Sequence, residues 1–375
     1  MKILFTGGGS GGHFYPILSV AEAVQKLSKE YRLIQPTLYY MSDTPYNEAL
    51  LFDNDIIFKK NSAGKRRIYS SGKNLFDFFK TGWGVLTALM TVFSIYPDVV
   101  FSKGGYAAFP VLVAARLFRI PVVIHESDTV PGRVNKFAGK FAKRIAVSYE
   151  EAAKFFPKDK VAITGNPVRE EITHPMKEGA HEFLKLNDET PVILVLGGSL
   201  GAQLVNDTVI DTLPQLIEKY QVIHQTGKNN YADIVARSEA ILYSEQFRAR
   251  YKAFDYLNEM ALRMAAGVAD VVISRAGSAI FEIASWGIPS ILIPITESHG
   301  DHQRKNAYAY ARSKAAVVLE ESNVTPHILM SEIDRIMNNP ELKESMSKAA
   351  KVFFKPDAAR GIAKEILSIA LKHEV

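Results

Sequence analysis

Residues Gly7–His13, GGGSGGH, place a titratable imidazole at the end of a flexible run of glycine and serine. An apolar stretch, Lys2–Thr6, precedes that run, and an apolar-faced helical pattern follows it, with Ile17, Val20, Ala21, Val24 and Leu27 on one side. A glycine loop between strand and helix collects unpaired N–H groups and the positive end of the helix dipole, which together attract an anion such as a phosphate. Gly7, Gly9 and Gly12 also satisfy the G-x-G-x-x-G pattern of dinucleotide sites, with Asp43 as the ribose-binding acid. Asp43 falls well beyond the usual spacing of roughly 20 residues, however. A dinucleotide loop has no use for His13, whereas a general base beside a bound hydroxyl needs such a group; the alternative is that His13 merely caps the turn. Pro16 occupies the place of a first-turn proline.

A second constellation lies at Ser274–Pro294, SRAGSAIFEIASWGIPSILIP. Arg275 and the Ala276–Ala279 backbone open a helix, and Glu282 lies about one turn inside it, where a carboxylate either accepts from two vicinal hydroxyls such as those of a ribose or is an ordinary helix-surface residue. Diphosphate oxygens then fit against the helix N-terminus and Arg275. Downstream, Asp301, His302, Gln303 and Asn306 form a polar group suited to sugar hydroxyls, or simply a polar helix start.

These groups need a scaffold. Apolar strand-like runs at Thr37–Met41, Asp98–Phe101, Val122–His125 and Ile145–Val147 alternate with helical segments, predicting a parallel sheet covered on both faces. The pattern restarts at Pro191–Leu196 with a second glycine loop, Gly197–Ala202, and continues at Gln221–His224, Asp270–Ile273, Pro289–Ile293 and Ala316–Leu319. The 375 residues, 47% hydrophobic and 23% charged, suffice for two ordinary globular domains. The expected division is an α/β domain over 1–165, a polar linker over 166–189, a second α/β domain over 190–357, and a C-terminal helix over 358–375 that packs on either half.

Composition excludes some chemistry. The chain has no cysteine, hence no disulfide, thiolate nucleophile or cysteine-bound metal. MKILFTGGG is too short in its apolar run for a signal peptide, and no segment has the roughly 20 apolar residues of a membrane span. The net charge of +5 points to an anionic partner. Basic runs occur at Lys59, Lys60, Lys65, Arg66, Arg67 and Lys73, and at Arg133, Lys136, Lys140, Lys143 and Arg144. Leu75, Phe76, Phe78, Phe79, Trp83, Leu86 and Met90, bordered by Lys73, Lys80 and those runs, read either as core or as a peripheral contact with an anionic membrane. No nucleic-acid recognition motif accompanies the charge.

The segments GGSGGHFYP, SKGGYAAFP, HES, GNPVR, GGSLGA, HQTGK, SRAGSAIFE and HQRKNA, in that order across nearly the whole chain, resemble the MurG family of glycosyltransferases. The resemblance implies the GT-B fold, two doubly wound Rossmann-like domains facing across a cleft. It also implies inverting transfer of N-acetylglucosamine from UDP-GlcNAc to lipid I, giving lipid II of the bacterial cell wall. It implies a location at the cytoplasmic face of the bacterial membrane. A helix N-terminus can replace a cation at a leaving diphosphate, so no cofactor and no metal are expected. On this resemblance His13 is the base for the acceptor 4-hydroxyl, and Gly8, Gly9, Gly104, Gly105 and Tyr106 meet the lipid diphosphate. Ser10, Gly11, Gly12, Asp128, Arg169 and Ser199 are assigned to the donor, as are Arg275, Gly277, Ser278 and Ala279 at its diphosphate. Tyr256 and Leu257 frame the uracil, Glu282 holds the ribose, and Gln303 with Arg304 reads the sugar. Phe76, Phe79, Trp83, Lys73, Lys80 and Lys140 belong to the membrane contact. Many members read HEQN where this chain has HESD; Asp128 is expected to raise the basicity of His13. Competing readings are an NAD-dependent oxidoreductase, another GT-B enzyme such as a glycolipid synthase or a UDP-GlcNAc epimerase, and a non-enzymatic membrane scaffold.

Overall fold

The computed structural model describes residues 1–64, 73–198, 201–296 and 301–373, with backbone alone over 73–79 and at 373. Its residues separate into two compact units, Met1–Arg169 with Lys355–Val375, and Glu170–Phe354.

The first unit is built on a parallel sheet of β1 (Lys2–Thr6), β2 (Thr37–Ser42), β3 (Ile56–Lys60), β4 (Val99–Ser102), β5 (Val122–Glu126), β6 (Arg144–Val147) and β7 (Val161–Ile163), in the order β3-β2-β1-β4-β5-β6-β7. β1 is buried from Ile3 to Thr6, and β4 and β5 are buried throughout, because helices cover both faces of a doubly wound sheet. The strand order reverses between β1 and β4, paired from Ile3↔Val99 to Thr6↔Ser102. Their carboxyl ends therefore open the crevice in which such sheets bind ligands. β3 and β7, which the hydrophobic pattern did not single out, are edge strands whose residues are largely or partly exposed.

The helix after β1 spans Gly11–Glu30, so it begins inside the glycine run and Pro16 lies within it rather than in its first turn. The Ser10 carbonyl accepts from the N–H groups of both His13 and Phe14, which starts the helix early. Pro16 has no N–H to return to the Gly12 carbonyl, a cost accepted at the second turn. His13 is thereby a residue of the first helical turn, on a regular element rather than a loose loop.

The C-terminal helix, Ala358–His373, belongs to this first unit: Ile362, Ala363, Ile366 and Leu367 join Ile3, Phe5, Ile17 and Val24 in one core. Arg360 clasps Glu30 at 3.0 and 2.7 Å.

The second unit repeats the plan with β8 (Val192–Leu196), β9 (Gln221–Gln225), β10 (Tyr251–Phe254), β11 (Ala269–Ser274), β12 (Ser290–Leu292) and β13 (Ala316–Val318), ordered β10-β9-β8-β11-β12-β13 and parallel. Its reversal lies between β8 and β11. Residues 170–189, read as linker from their polarity, pack within this unit. Ile172, Ala180 and Leu184 are buried, and Trp286 Nε1 donates to the Ile172 carbonyl at 2.7 Å. Gly267 permits the approach, since a Cβ there would lie 2.1 Å from the Met176 carbonyl oxygen. A few buried side chains among many polar ones bind this segment to its unit, which is why composition alone misread it.

Candidate active site

In the first unit the chemistry gathers where β1 and β4 part. Ser10 Oγ and His13 Nδ1 are 2.8 Å apart, so the imidazole is oriented through one nitrogen. Its other nitrogen faces Gly105, where an added Cβ would lie 3.3 Å from Nε2 and 2.8 Å from the Gly8 backbone. Gly104 and Gly105 both have positive φ, 80° and 82°, which glycine adopts without strain. Gly8, Gly105 and His13 thus form one close-packed corner. Gly9 is beside Asp43, Thr44 and Tyr106, and the Tyr106 hydroxyl donates a short hydrogen bond to Asp43. Asp43, weighed above as a ribose ligand, is committed to Tyr106 and also accepts from Ser42 Oγ.

The crevice floor is unusually charged. Lys103 directly follows β4; its N–H donates to the Thr6 carbonyl, and its side chain is only 2% exposed. A Cβ on Gly7 would meet Lys103 Cβ at 3.4 Å and His13 Cβ at 3.5 Å, so the two side chains leave the backbone on either side of Gly7. Glu126, at the end of β5, accepts from Asp128 N at 3.0 Å, Gly132 N at 3.1 Å and Asn135 Nδ2 at 2.9 Å, and so shapes the loop after β5. Burial and the nearby Asp128 raise the Glu126 pKa. His125 is buried, bonded through Nε2 to the Gly165 carbonyl, and held well below the usual imidazole range by burial and by Lys103.

His13 has its pKa lowered to about 4, first by dense packing in protein, then by the positive Lys103. Asp128 pulls the other way, as its charge dictates, but is outweighed. Asp128 thus acts on His13 in the expected direction, but burial and Lys103 set the net shift, and in the free protein this imidazole is neutral at physiological pH. Arg169 lies with its guanidinium 4.3 Å from the ring centroid of Tyr15, a residue of the helix Gly11–Glu30.

In the second unit Gly277, Ser278 and Ala279 lead into the helix Ala279–Trp286, with Glu282 in its first turn. The space beside Gly277 is open, since an added Cβ would meet nothing within 4 Å. Arg275 is largely buried, paired with Glu321 at 2.6 Å and donating to the Ile293 carbonyl at 2.9 Å. Its guanidinium is thus held between a carboxylate and a backbone carbonyl. Gln303 accepts from Ile295 N at 3.2 Å. Arg304 bonds Glu320 at 2.9 Å, with Asp301 at 3.7 Å. Tyr256 is exposed after β10, while the Leu257 N–H is taken by Gln225 Oε1 at 3.0 Å. Ser199 lies outside the described residues.

Two family models match: the glycosyltransferase family 28 N-terminal domain over residues 3–147 and its C-terminal domain over 192–362. A UDP-N-acetylglucosamine--N-acetylmuramyl-(pentapeptide) pyrophosphoryl-undecaprenol N-acetylglucosamine transferase of Bacillus thuringiensis subsp. konkukian is 39% identical, over 92% of this chain and 94% of its own length. A transferase of the same name from Pediococcus pentosaceus is 34% identical over 99% of this chain and all of its own. The chain belongs to the MurG family of glycosyltransferases. Among solved structures, MurG of Acinetobacter baumannii superposes with a TM-score of 0.72 at 26% identity, covering 98% of this chain and 99% of that one. UDP-GlcNAc 2-epimerase of Neisseria meningitidis, with a TM-score of 0.67 at 14% identity over 99% of this chain and 100% of that one, shares the fold. The MurG-family chain thus has the GT-B fold of two Rossmann-like domains and is a UDP-GlcNAc-dependent glycosyltransferase.

The structure gathers Gly8, Ser10, His13, Gly104 and Gly105 in the first unit, and Gly277, Ser278, Ala279 and Glu282 in the second. Sequence reasoning passed over Lys103 and Glu126, although both lie inside quoted segments, SKGGY and HES. The available signal was a charged residue at the carboxyl end of a buried strand, where the pattern otherwise demands an apolar one.

On the membrane question, Lys80 and Lys140 are exposed, and Phe76, Phe79 and Lys73 lie where the backbone alone is described. The helix Lys73–Ile95 presents Trp83, Leu86, Met90 and Phe93 at 61, 55, 63 and 66% exposure, while Ala88 and Val92 face the core. Leu86, Met90 and Trp83 are thus surface residues. Among the described residues no helix is long and apolar enough to cross a membrane.

Proposed function

We propose that the enzyme transfers N-acetylglucosamine with inversion from UDP-GlcNAc to the 4-hydroxyl of the N-acetylmuramyl sugar of lipid I, yielding lipid II, and that His13 is its base. The observation that carries the assignment of the base is the geometry of His13, a neutral imidazole tethered at Nδ1 by Ser10, with Nε2 at the glycine-lined crevice. Nε2 takes the proton as the acceptor oxygen attacks the anomeric carbon and the bond to UDP breaks. The acceptor diphosphate rests on Gly8, Gly9, Gly104, Gly105 and Tyr106. The donor diphosphate meets the N-terminus of the helix Ala279–Trp286 through Gly277, Ser278 and Ala279, and Glu282 takes the ribose. A helix terminus offers positive charge to a leaving diphosphate without a cation, so transfer is expected to persist in excess EDTA.

The exposed stripe from Trp83 to Phe93, with Lys80 and Lys140 exposed as well, is the membrane contact. Apolar side chains of a surface helix gain by leaving water for the acyl boundary, and lysines gain from anionic headgroups. The enzyme is placed by this reading at the cytoplasmic face of the cell membrane, where its lipid substrate lies.

Radiolabel transfer from UDP-GlcNAc to a short-chain lipid I analogue tests the reading. Product formed by wild type and lost in His13→Ala, with UDP still bound, is the expected result. Undiminished transfer by His13→Ala discards the base, and absence of product with wild type discards the acceptor.

A further inference from the structure

Lys103 is a charged side chain buried at a ligand crevice, and its ammonium Nζ has no hydrogen-bond partner. An ammonium removed from water without a partner is costly, and a protein that needed only to fill this space would use methionine or leucine. The groups facing it are known: Glu126 and Asp128 from β5 and its loop, His125 from β5 and His13 from the first helix. Neither carboxylate takes up its N–H donors. Glu126 spends its oxygens on Asp128 N, Gly132 N and Asn135.

We propose that Lys103 is a substrate ligand, its ammonium held for the phosphate groups of the lipid-linked acceptor at the point where β1 and β4 part. This rests on the reading of that crevice as the acceptor site. The backbone of Lys103 is anchored by its N–H on Thr6, at the exit of β4, beside the glycine loop that follows β1. Gly7, Gly8, Gly104 and Gly105 bring the two loops together around the crevice, since an added Cβ at each would meet Ile17, His13, Asn135 or Gly8, and their backbone N–H groups are what the loops can offer a phosphate beside the ammonium. The four-carbon stem lets the ammonium swing toward an arriving anion while Cα stays fixed.

The same placement couples binding to chemistry. With the crevice empty, burial first and then the positive charge of Lys103 lower the proton affinity of His13. An acceptor diphosphate paired with Lys103 cancels that field, so the imidazole becomes more basic once the substrate that must be deprotonated has arrived. Burial lowers the pKa of Lys103 to about 8, against the pull of Glu126 and Asp128, so the ammonium is charged at neutral pH and its hold on phosphate weakens above pH 8.

The test compares wild type with Lys103→Met, which keeps length and removes charge. Expected is a rise of about tenfold or more in the KM for a lipid I analogue, with the KM for UDP-GlcNAc within about twofold of wild type, as for a lost charge-assisted bond. The preference of wild type for a diphosphate acceptor over a monophosphate one should shrink in the variant. Its melting temperature should equal or exceed that of wild type, because an unpaired buried charge is gone. A binding titration with inorganic pyrophosphate, weaker in the variant, reads the same contact without turnover. If wild type makes no product yet binds pyrophosphate through Lys103, the acceptor assignment fails and the anion site stands. An unchanged acceptor KM and pyrophosphate affinity, a defect in the UDP-GlcNAc KM instead, or a drop in melting temperature with equal losses on both acceptors would each overturn the proposal.

Discussion

The two units carry the same sheet plan but furnish their crevices differently, and the contrast is sharpest between two histidines. His224, on β9, is buried and bonded on both nitrogens, to Tyr251 OH at 2.9 Å and Asn206 Oδ1 at 3.0 Å. Asn206 in turn donates to the Thr226 carbonyl at 2.9 Å. His13 has one nitrogen held by Ser10 and presents the other at the crevice. The cations repeat the pattern: Arg275 is paired with Glu321, whereas Lys103 has no hydrogen-bond partner. Buried polar groups whose bonds are complete hold a fold together, while those left incomplete are available to a ligand. Burial by itself does not separate the two kinds, since it depresses the pKa of both histidines.

The contrast can be broken most decisively at His13. Replacing it with alanine should reduce transfer about 10²–10⁴-fold, the usual worth of a general base, with melting temperature close to wild type. His224→Ala should do the reverse. Leaving Tyr251 OH and Asn206 Oδ1 without their partner should cost about 2–4 kcal/mol in denaturant unfolding. Turnover per folded molecule should change little. If His224→Ala abolished transfer while remaining stable, the division into structural and reactive histidines would collapse.

Acid titration sharpens the same comparison. The pKa values of His13 and His224 are lowered to about 4 and about 3. Between pH 6.5 and these values the unfolded chain holds protons that the folded chain does not, so stability should fall as pH drops through that window. The slope should be shallower in His224→Ala, and kcat/KM should keep its acid limb well below pH 6 in wild type.

Two smaller effects concern the helix Lys73–Ile95. A Cβ on Gly84 would lie 1.7 Å from the Ser62 carbonyl oxygen, so Gly84→Ala should cost about 1–3 kcal/mol by forcing the helix off its bed. Trp83→Ser, on the exposed face, should leave stability within about 0.5 kcal/mol. It should weaken sedimentation with phosphatidylglycerol vesicles, and equal sedimentation of both proteins would remove the membrane contact.

Much was legible before any coordinates. Buried parallel strands need continuous apolar runs, so the strands flanking each reversal were visible, and glycine loops before helices marked both crevices. Edge strands β3 and β7 escaped although each holds three consecutive apolar residues, Ile56–Phe58 and Val161–Ile163, because their place at the sheet edges is set only by pairing with β2 and β6. The packing of residues 170–189 escaped because it depends on a few contacts, Ile172 with Trp286 and Met176 with Gly267, between residues far apart in the chain.

What the sequence determined by itself is the repeated strand–loop–helix plan, the family and the presence of His13 at a glycine loop, all of which depend on local pattern. Tertiary structure decided which polar groups find partners. It tied Arg275 to Glu321, satisfied His224 twice, made Asp128 the weaker influence on His13, and buried Lys103 without a hydrogen-bond partner beside it. The physical reason is that hydrogen bonds and charge pairs act over a few ångströms between residues that chain order does not bring together.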